Sequence, residues 1–382
     1  MKFLKNTLKF IVILLAVVIA ALYITDTDYL LKAVRTIYMN GHKTAYLEDY
    51  KQFDNQAINI GTPEPWPNHK DYNSASETEE LTKLNESSGT IAYVIIKNDS
   101  IWFENYYDEF NENSKSNSFS MAKSYVSGLM QKAIQDGYIK SLDQPVCDFL
   151  PEFCDGKAAK MTVGDLSSMS SGTNWDEAYY SPFSITTRAY FDDDLSKVMN
   201  GLKMATDPGK SYKYASGDTQ MLAMVIEKAT GKKLYKYFEE SFWKPLGAEN
   251  ETLWQVDSED HDLVKAYCCI ASNAKDFARY GKLFKDHGKW NGKQILDSTF
   301  VAKSVHPRFK NGPMYGYGWW IAKHKNKDVF YMRGHLGQYV IVIPEDNVMV
   351  IRLGHTVAKA KGDAHSPDFH TFIDEAYSMM EK

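Results

Sequence analysis

Two clusters of strand-like residues, separated by a long helical stretch, set the architecture open to this chain. Residues 91–96 and 101–105 are rich in β-branched and aromatic side chains, and Lys97-Asn98-Asp99-Ser100 between them reads as a hairpin turn. The same pattern returns late in the chain at residues 317–321, 329–332, 339–343 and 348–353, with Pro344-Glu345-Asp346-Asn347 as the turn between the last two. From residue 141 to about residue 284 the pattern is mostly helical with long loops, and residues 368–380 read as a closing helix. Strands at both ends with helices inserted between them make an α+β chain, not an alternating βαβ one.

The first helical run after the hairpin, residues 120–137, opens with Ser120-Met121-Ala122-Lys123. Met121, Tyr125, Leu129 and Ala133 recur at helical spacing, so this helix has a buried face. A hydroxyl and an amine three residues apart lie on one helix face, one turn apart. Serine is a poor nucleophile without a base in hydrogen-bond reach. A desolvated lysine, lowered in pKa, can be that base. The helix N-terminus adds backbone N–H groups where an oxyanion could form. Alone, the pair equally describes a capping serine and a solvated lysine.

Two further motifs follow. Tyr214-Ala215-Ser216 comes after the turn signal Pro208-Gly209, and His335-Leu336-Gly337 immediately precedes the strand-like residues 339–343. Ser-x-x-Lys, Tyr-x-Ser and His-x-Gly, in this order, resemble the serine β-lactamase and penicillin-binding-protein superfamily. The resemblance covers about residues 86–382. Trp175-Asp176-Glu177-Ala178-Tyr179-Tyr180-Ser181-Pro182 is similar to the 6-aminohexanoate-dimer hydrolase branch, whose members carry an acidic residue, a tyrosine and a proline there.

The resemblance implies an antiparallel sheet flanked by helices with an inserted all-helical lobe. It also implies a serine hydrolase that works through an acyl-enzyme on an amide or ester. Ser120 becomes the nucleophile, Lys123 the base or proton relay, and Tyr214 the second proton-transfer group. A phenol titrates near 10 in water, so as a base Tyr214 would need a neighbouring cation such as Lys123 to lower it. Ser216 would face Lys123 or the substrate, or cap the helical run 219–230, or both. His335 would tune Tyr214 or meet a substrate carboxylate, or serve the fold alone. Gly337 would let the strand approach the substrate, and the N–H of Gln338 with that of Ser120 would form the oxyanion hole. Tyr179 would serve the leaving nitrogen, with Tyr180 as the alternative register. Trp175, Trp319 and Trp320 are expected in the core or along the cleft.

The N-terminus carries Lys2, Lys5 and Lys9, then an apolar run over residues 10–24, then Asp26 and Asp28. Such a run is a signal peptide or a short membrane anchor. Ile19-Ala20-Ala21 and Ala21-Leu22-Tyr23 both fail as cleavage sites, which favours an uncleaved anchor over secretion. The basic flank stays inside, so the catalytic part is expected outside the cytoplasmic membrane, on the periplasmic side. Residues 25–85 are expected as a linker and N-terminal packing segment, with a helix over 29–39 and an irregular stretch over 61–76.

Net charge is −5 with no basic cluster beyond the N-terminus, which argues against a nucleic-acid partner. The four cysteines show no zinc spacing, and no metal or other cofactor is expected. Cys147 and Cys154 could bridge in an exported protein, whereas adjacent Cys268 and Cys269 are expected as two small buried residues. The competing readings are a β-lactamase or D-alanyl carboxypeptidase, or a sensor that acylates without turnover. Against the first, His335-Leu336-Gly337 stands where Lys-Thr-Gly would pair with an antibiotic's carboxylate, and Ser216 replaces the usual asparagine. Oligomeric state and natural substrate are open.

Overall fold

The computed structural model describes residues 2–358 and 365–381. Its centre is a six-stranded antiparallel sheet in the order Ser100–Tyr106, Thr90–Lys97, Val348–Gly354, Gln338–Ile343, Lys327–Gly334, Trp320–His324. The early hairpin therefore pairs with the last strand of the chain, through partners such as Val94 with Ile351. Strand period 2 divides the side chains between two cores. Ala92, Val94, Val340, Val342, Met349 and Ile351 face the helical lobe. Tyr93, Ile95, Tyr339, Ile341, Val348 and Val350 face the other way, onto Leu81, Phe369, Phe372 and Ile373 of the helices Glu79–Ser88 and Pro367–Met380.

On the lobe side the helix Ala274–Lys285 lies directly against the sheet. It comes this close because residue 281 is glycine. A Cβ there would stand 2.8 Å from Val340 Cγ1. The expected helix after Ser120 forms as a short 3₁₀ turn, Phe119–Met121, running into the α-helix Ala122–Gln135, and Met121, Tyr125, Leu129 and Ala133 are all buried.

The middle of the chain is less purely helical than its sequence suggests. A second, four-stranded sheet joins Asn55–Ile58, Thr252–Gln255, Ile270–Ser272 and Ser116–Asn117 in that order. Strands of two to four residues are too short to display a period of 2.

The segment before residue 85 is fastened into the body. Leu47, Ile58 and Trp66 are buried in the lobe core. Asp49 is fully buried and accepts from Asn117 Nδ2 at 2.9 Å and from the Tyr190 hydroxyl at 2.6 Å. The expected helix over 29–39 divides into Tyr29–Thr36 and a 3₁₀ turn, Tyr38–Asn40, which ends at left-handed Gly41. Ahead of it, the helix Lys2–Ile24 is long and apolar enough to cross a membrane, and none of its apolar window is buried against the protein.

Cys147 and Cys154 are disulfide-bonded. Cys268 and Cys269 are bonded to each other, which corrects the expectation of two separate thiols, although both are buried as expected. The reason is backbone: Cys269 has a left-handed φ of 77°, which swings its side chain toward that of its neighbour.

Candidate active site

The Ser120 turn is held from three sides. Asn117 Oδ1 accepts the Phe119 N–H at 2.8 Å, and Asn117's own N–H donates to Leu47 O at 2.8 Å. Ser118 is tied to Ile270 twice, N–H to carbonyl at 2.7 Å and hydroxyl from N–H at 3.1 Å. These clamps hold Phe119 at φ 45°, a left-handed conformation that a bulky residue rarely adopts. Opposite, Gly334 at the end of its strand packs against Ser118 O, where a Cβ would intrude to 2.3 Å.

Lys123, one turn on, is 3 % exposed. Its ammonium donates to Ser120 Oγ at 2.8 Å and to Tyr267 O at 2.8 Å. Burial pushes its pKa down to about 8, while the Glu177 carboxylate pulls the other way. Lys123 Nζ also lies 5.2 Å from the centre of the Tyr214 ring. Ser120 is close enough to Tyr214 to act on its phenol, pulling its pKa down. The structure thus brings Ser120, Lys123 and Tyr214 together.

Tyr214 does not acquire the lowered pKa required of a phenolate base. Burial raises it, the Glu177 carboxylate raises it further, and the Ser120 contact offsets this only in part. The phenol therefore keeps its proton at neutral pH. His335 is not a cation there either: burial, then the charge of Arg333, pushes its pKa down to about 4. The fixed positive charge that acts on Tyr214 belongs to Arg333. His335 instead stacks on Tyr179, ring centres 5.5 Å apart, and meets the edge of Phe119 at 5.6 Å. Its Nε2 is buried without a hydrogen-bond partner.

Glu177, not singled out from the sequence as a site residue, is the hub of this cleft. It accepts from the Ser216 N–H at 3.0 Å, from the Ser216 hydroxyl, from the Tyr179 hydroxyl at 2.8 Å, and from Trp175 Nε1. Ser216 accordingly does not cap its helix. It is the first residue of Ser216–Thr230, whose N-cap is Ala215, and its hydroxyl is engaged by Glu177. Trp175 and Trp319 are buried in the core.

Gly337 has φ 80°, and a Cβ there would lie 2.6 Å from Arg352 Nη1. This turn and the buried arginine behind it both require glycine here. Arg352 Nη1 donates to the carbonyls of Leu336, Gly337 and Thr356 at 3.0, 2.9 and 3.0 Å. The Gln338 side chain locks the same corner through His335 O at 3.2 Å and Gly354 O at 2.6 Å.

An antiparallel sheet with an inserted lobe, and a Ser-x-x-Lys turn at their junction, define the β-lactamase and penicillin-binding fold class. The Beta-lactamase family model matches residues 80–371, and the chain belongs to that family. It is 21% identical over 302 residues to the 6-aminohexanoate-dimer hydrolase of Paenarthrobacter ureafaciens, covering 73% of this chain and 76% of that protein. A Bacillus anthracis structure, proposed as a 6-aminohexanoate-dimer hydrolase, superposes with a TM-score of 0.70 at 19% identity, over 88% of this chain and 92% of the other. The D-amino acid amidase of Ochrobactrum anthropi SV3 superposes with a TM-score of 0.59 at 15% identity, over 79% and 97%.

Proposed function

We propose that this β-lactamase-family protein is a serine hydrolase that cleaves an amide or ester through an acyl-enzyme on Ser120. The observation that carries the reading is the Ser120 hydroxyl, which accepts from a buried amine at 2.8 Å, with the Tyr214 ring centred 5.2 Å from that same amine. Neutral Lys123 takes the Ser120 proton as Oγ attacks the carbonyl carbon. The oxyanion that forms is received by the N–H groups of Ser120 and Gln338. Tyr214, which holds its proton, gives it to the departing nitrogen or oxygen as that bond breaks, and is reprotonated from Lys123. Water then attacks the acyl carbon and gives a proton to the same pair, which returns it to Ser120 Oγ as the acyl bond breaks, freeing the acid and restoring Ser120 and neutral Lys123.

The family relatives that are amide hydrolases support the amide arm. Neutral His335 offers no cation for an antibiotic's carboxylate, which weighs against the β-lactamase reading. The helix Lys2–Ile24 is read as a membrane anchor that leaves the catalytic body outside. A fluorophosphonate probe should label Ser120, as located by peptide mass, and Ser120→Ala should abolish turnover of p-nitrophenyl esters while retaining the wild-type circular dichroism. A label on another serine overturns the assignment. A single product equivalent without further release identifies a sensor instead.

A further inference from the structure

The serine does not sit in a closed pocket. A cavity of about 480 Å³ runs from Ser120, Ser216 and His335 outward to the N-terminal segment. One outer wall is the helix Tyr29–Thr36 and the turn after it, with Val34, Ile37 and Tyr38; the other is Tyr180 and Phe183. Leu30, Ala33, Val34 and Ile37 follow the spacing of a single helix face, which is the face turned to this cavity. Lys43 is the only lining residue among those described that is formally charged at neutral pH. The cavity's outer part carries the apolar side chains of Leu30, Ala33, Val34, Ile37, Pro182 and Phe183.

We propose that the substrate is an amphiphile with a long apolar chain, and that this chain lies in the groove between the Tyr29–Thr36 helix and residues 180–191. The proposal rests on the serine-hydrolase reading and names its substrate class. Val34, Tyr180 and Phe183 are 48%, 75% and 74% exposed around the mouth, an arrangement that soluble surfaces avoid unless something apolar binds there. The groove is preformed. The Tyr29 hydroxyl donates to Pro182 O at 3.0 Å, and Asp26 pairs with Arg188 at 2.5 Å and Lys197 at 2.8 Å, so both walls are fastened together. Its position fits a membrane source: Asp26 lies between the apolar helix Lys2–Ile24 and the groove wall. The mouth therefore stands where that helix would leave a bilayer, and an acyl or alkyl chain could pass from the leaflet to Ser120 without crossing water.

The test uses the full-length protein in phosphatidylcholine vesicles and two ester series, one lengthened on the acyl arm and one on the alcohol arm, from two to ten carbons. Along one arm kcat/KM should rise by up to about fourfold per methylene, the equivalent of burying one at ~0.8 kcal/mol. Val34→Glu and Phe183→Asp, both at exposed positions, should each lower the long-to-short ratio at least tenfold. Flat or falling values along both arms, with Ser120 still acylated, overturn the groove proposal alone. So does a wild-type ratio in both variants. Failure of every ester to turn over, without a Ser120 adduct, overturns the hydrolase reading beneath it.

Discussion

The Glu177 carboxylate holds Ser216 twice, accepting its backbone N–H at 3.0 Å and its hydroxyl, while its field reaches Lys123 and Tyr214. A negative charge beside a buried amine favours the protonated amine, so Glu177 works against the burial that lowers Lys123. Glu177→Gln keeps a hydrogen-bond acceptor for Ser216 but removes the charge. The Lys123 pKa should then fall further, and the rising limb of the pH–kcat/KM profile should move to lower pH. An unmoved limb would show that the carboxylate only positions Ser216.

In the wild type that limb should be set by Lys123 itself. With a pKa of about 8, the neutral base is a minority at pH 7 and the majority at pH 9. Rates should rise through pH 8 and level above it. Lys123→Ala should cost at least ~100-fold in kcat, the scale of a lost general base. A profile already flat from pH 6 would assign the proton to another group.

The two site tyrosines should separate by leaving group. Tyr214→Phe should lower kcat by at least ~100-fold on amides and far less on p-nitrophenyl esters, because a phenolate departs without a proton. The limb near pH 8 should persist in that variant, since the base is unchanged. Tyr179→Phe should likewise hurt amides more than esters if its phenol serves the leaving nitrogen, with Tyr180→Phe as the control for register. Equal losses on both substrates would leave Tyr179 as a wall stacked on His335.

Gly337→Ala should disturb fold and site together. A left-handed residue with a Cβ costs about 1–2 kcal/mol, and here the added carbon also meets Arg352. The urea midpoint should fall, and kcat/KM should fall with it because the turn leads directly into Gln338. A variant with wild-type stability and activity would mean that the corner relaxes freely.

Much of this was legible in the chain. The runs at 91–105 and 329–353 are rich in β-branched and aromatic residues and bounded by turn residues, and they form strands of the central sheet, whose edge strand starts at Trp320 instead of the expected residue 317. Ser120, Lys123 and Tyr214 could be named because their spacing is a motif. Glu177 was not, because its importance lies in a partner 39 residues away and no local pattern encodes that pairing. The behaviour of Tyr214 and His335 was also hidden. Whether a phenol or imidazole is charged depends on burial and on Arg333 and Glu177, and neither follows from the residue type alone. The adjacent cysteines failed for a related reason, a backbone angle at Cys269 that sequence does not reveal.

The buried bond from Asn117 to Asp49 makes the upstream segment part of the nucleophile's scaffold, although the family match begins only at residue 80. A form without the apolar helix should therefore be cut between Ile24 and Asp26, which keeps the Asp26 pairs, and not at the family boundary, which would discard both the Asp49 clamp and one side of the cleft. The same joint has an evolutionary side. Changing only residues 30–45 would exchange the outer wall of the pocket while keeping Leu47 and Asp49 on Asn117, so a lineage could change what it admits without redesigning how it reacts.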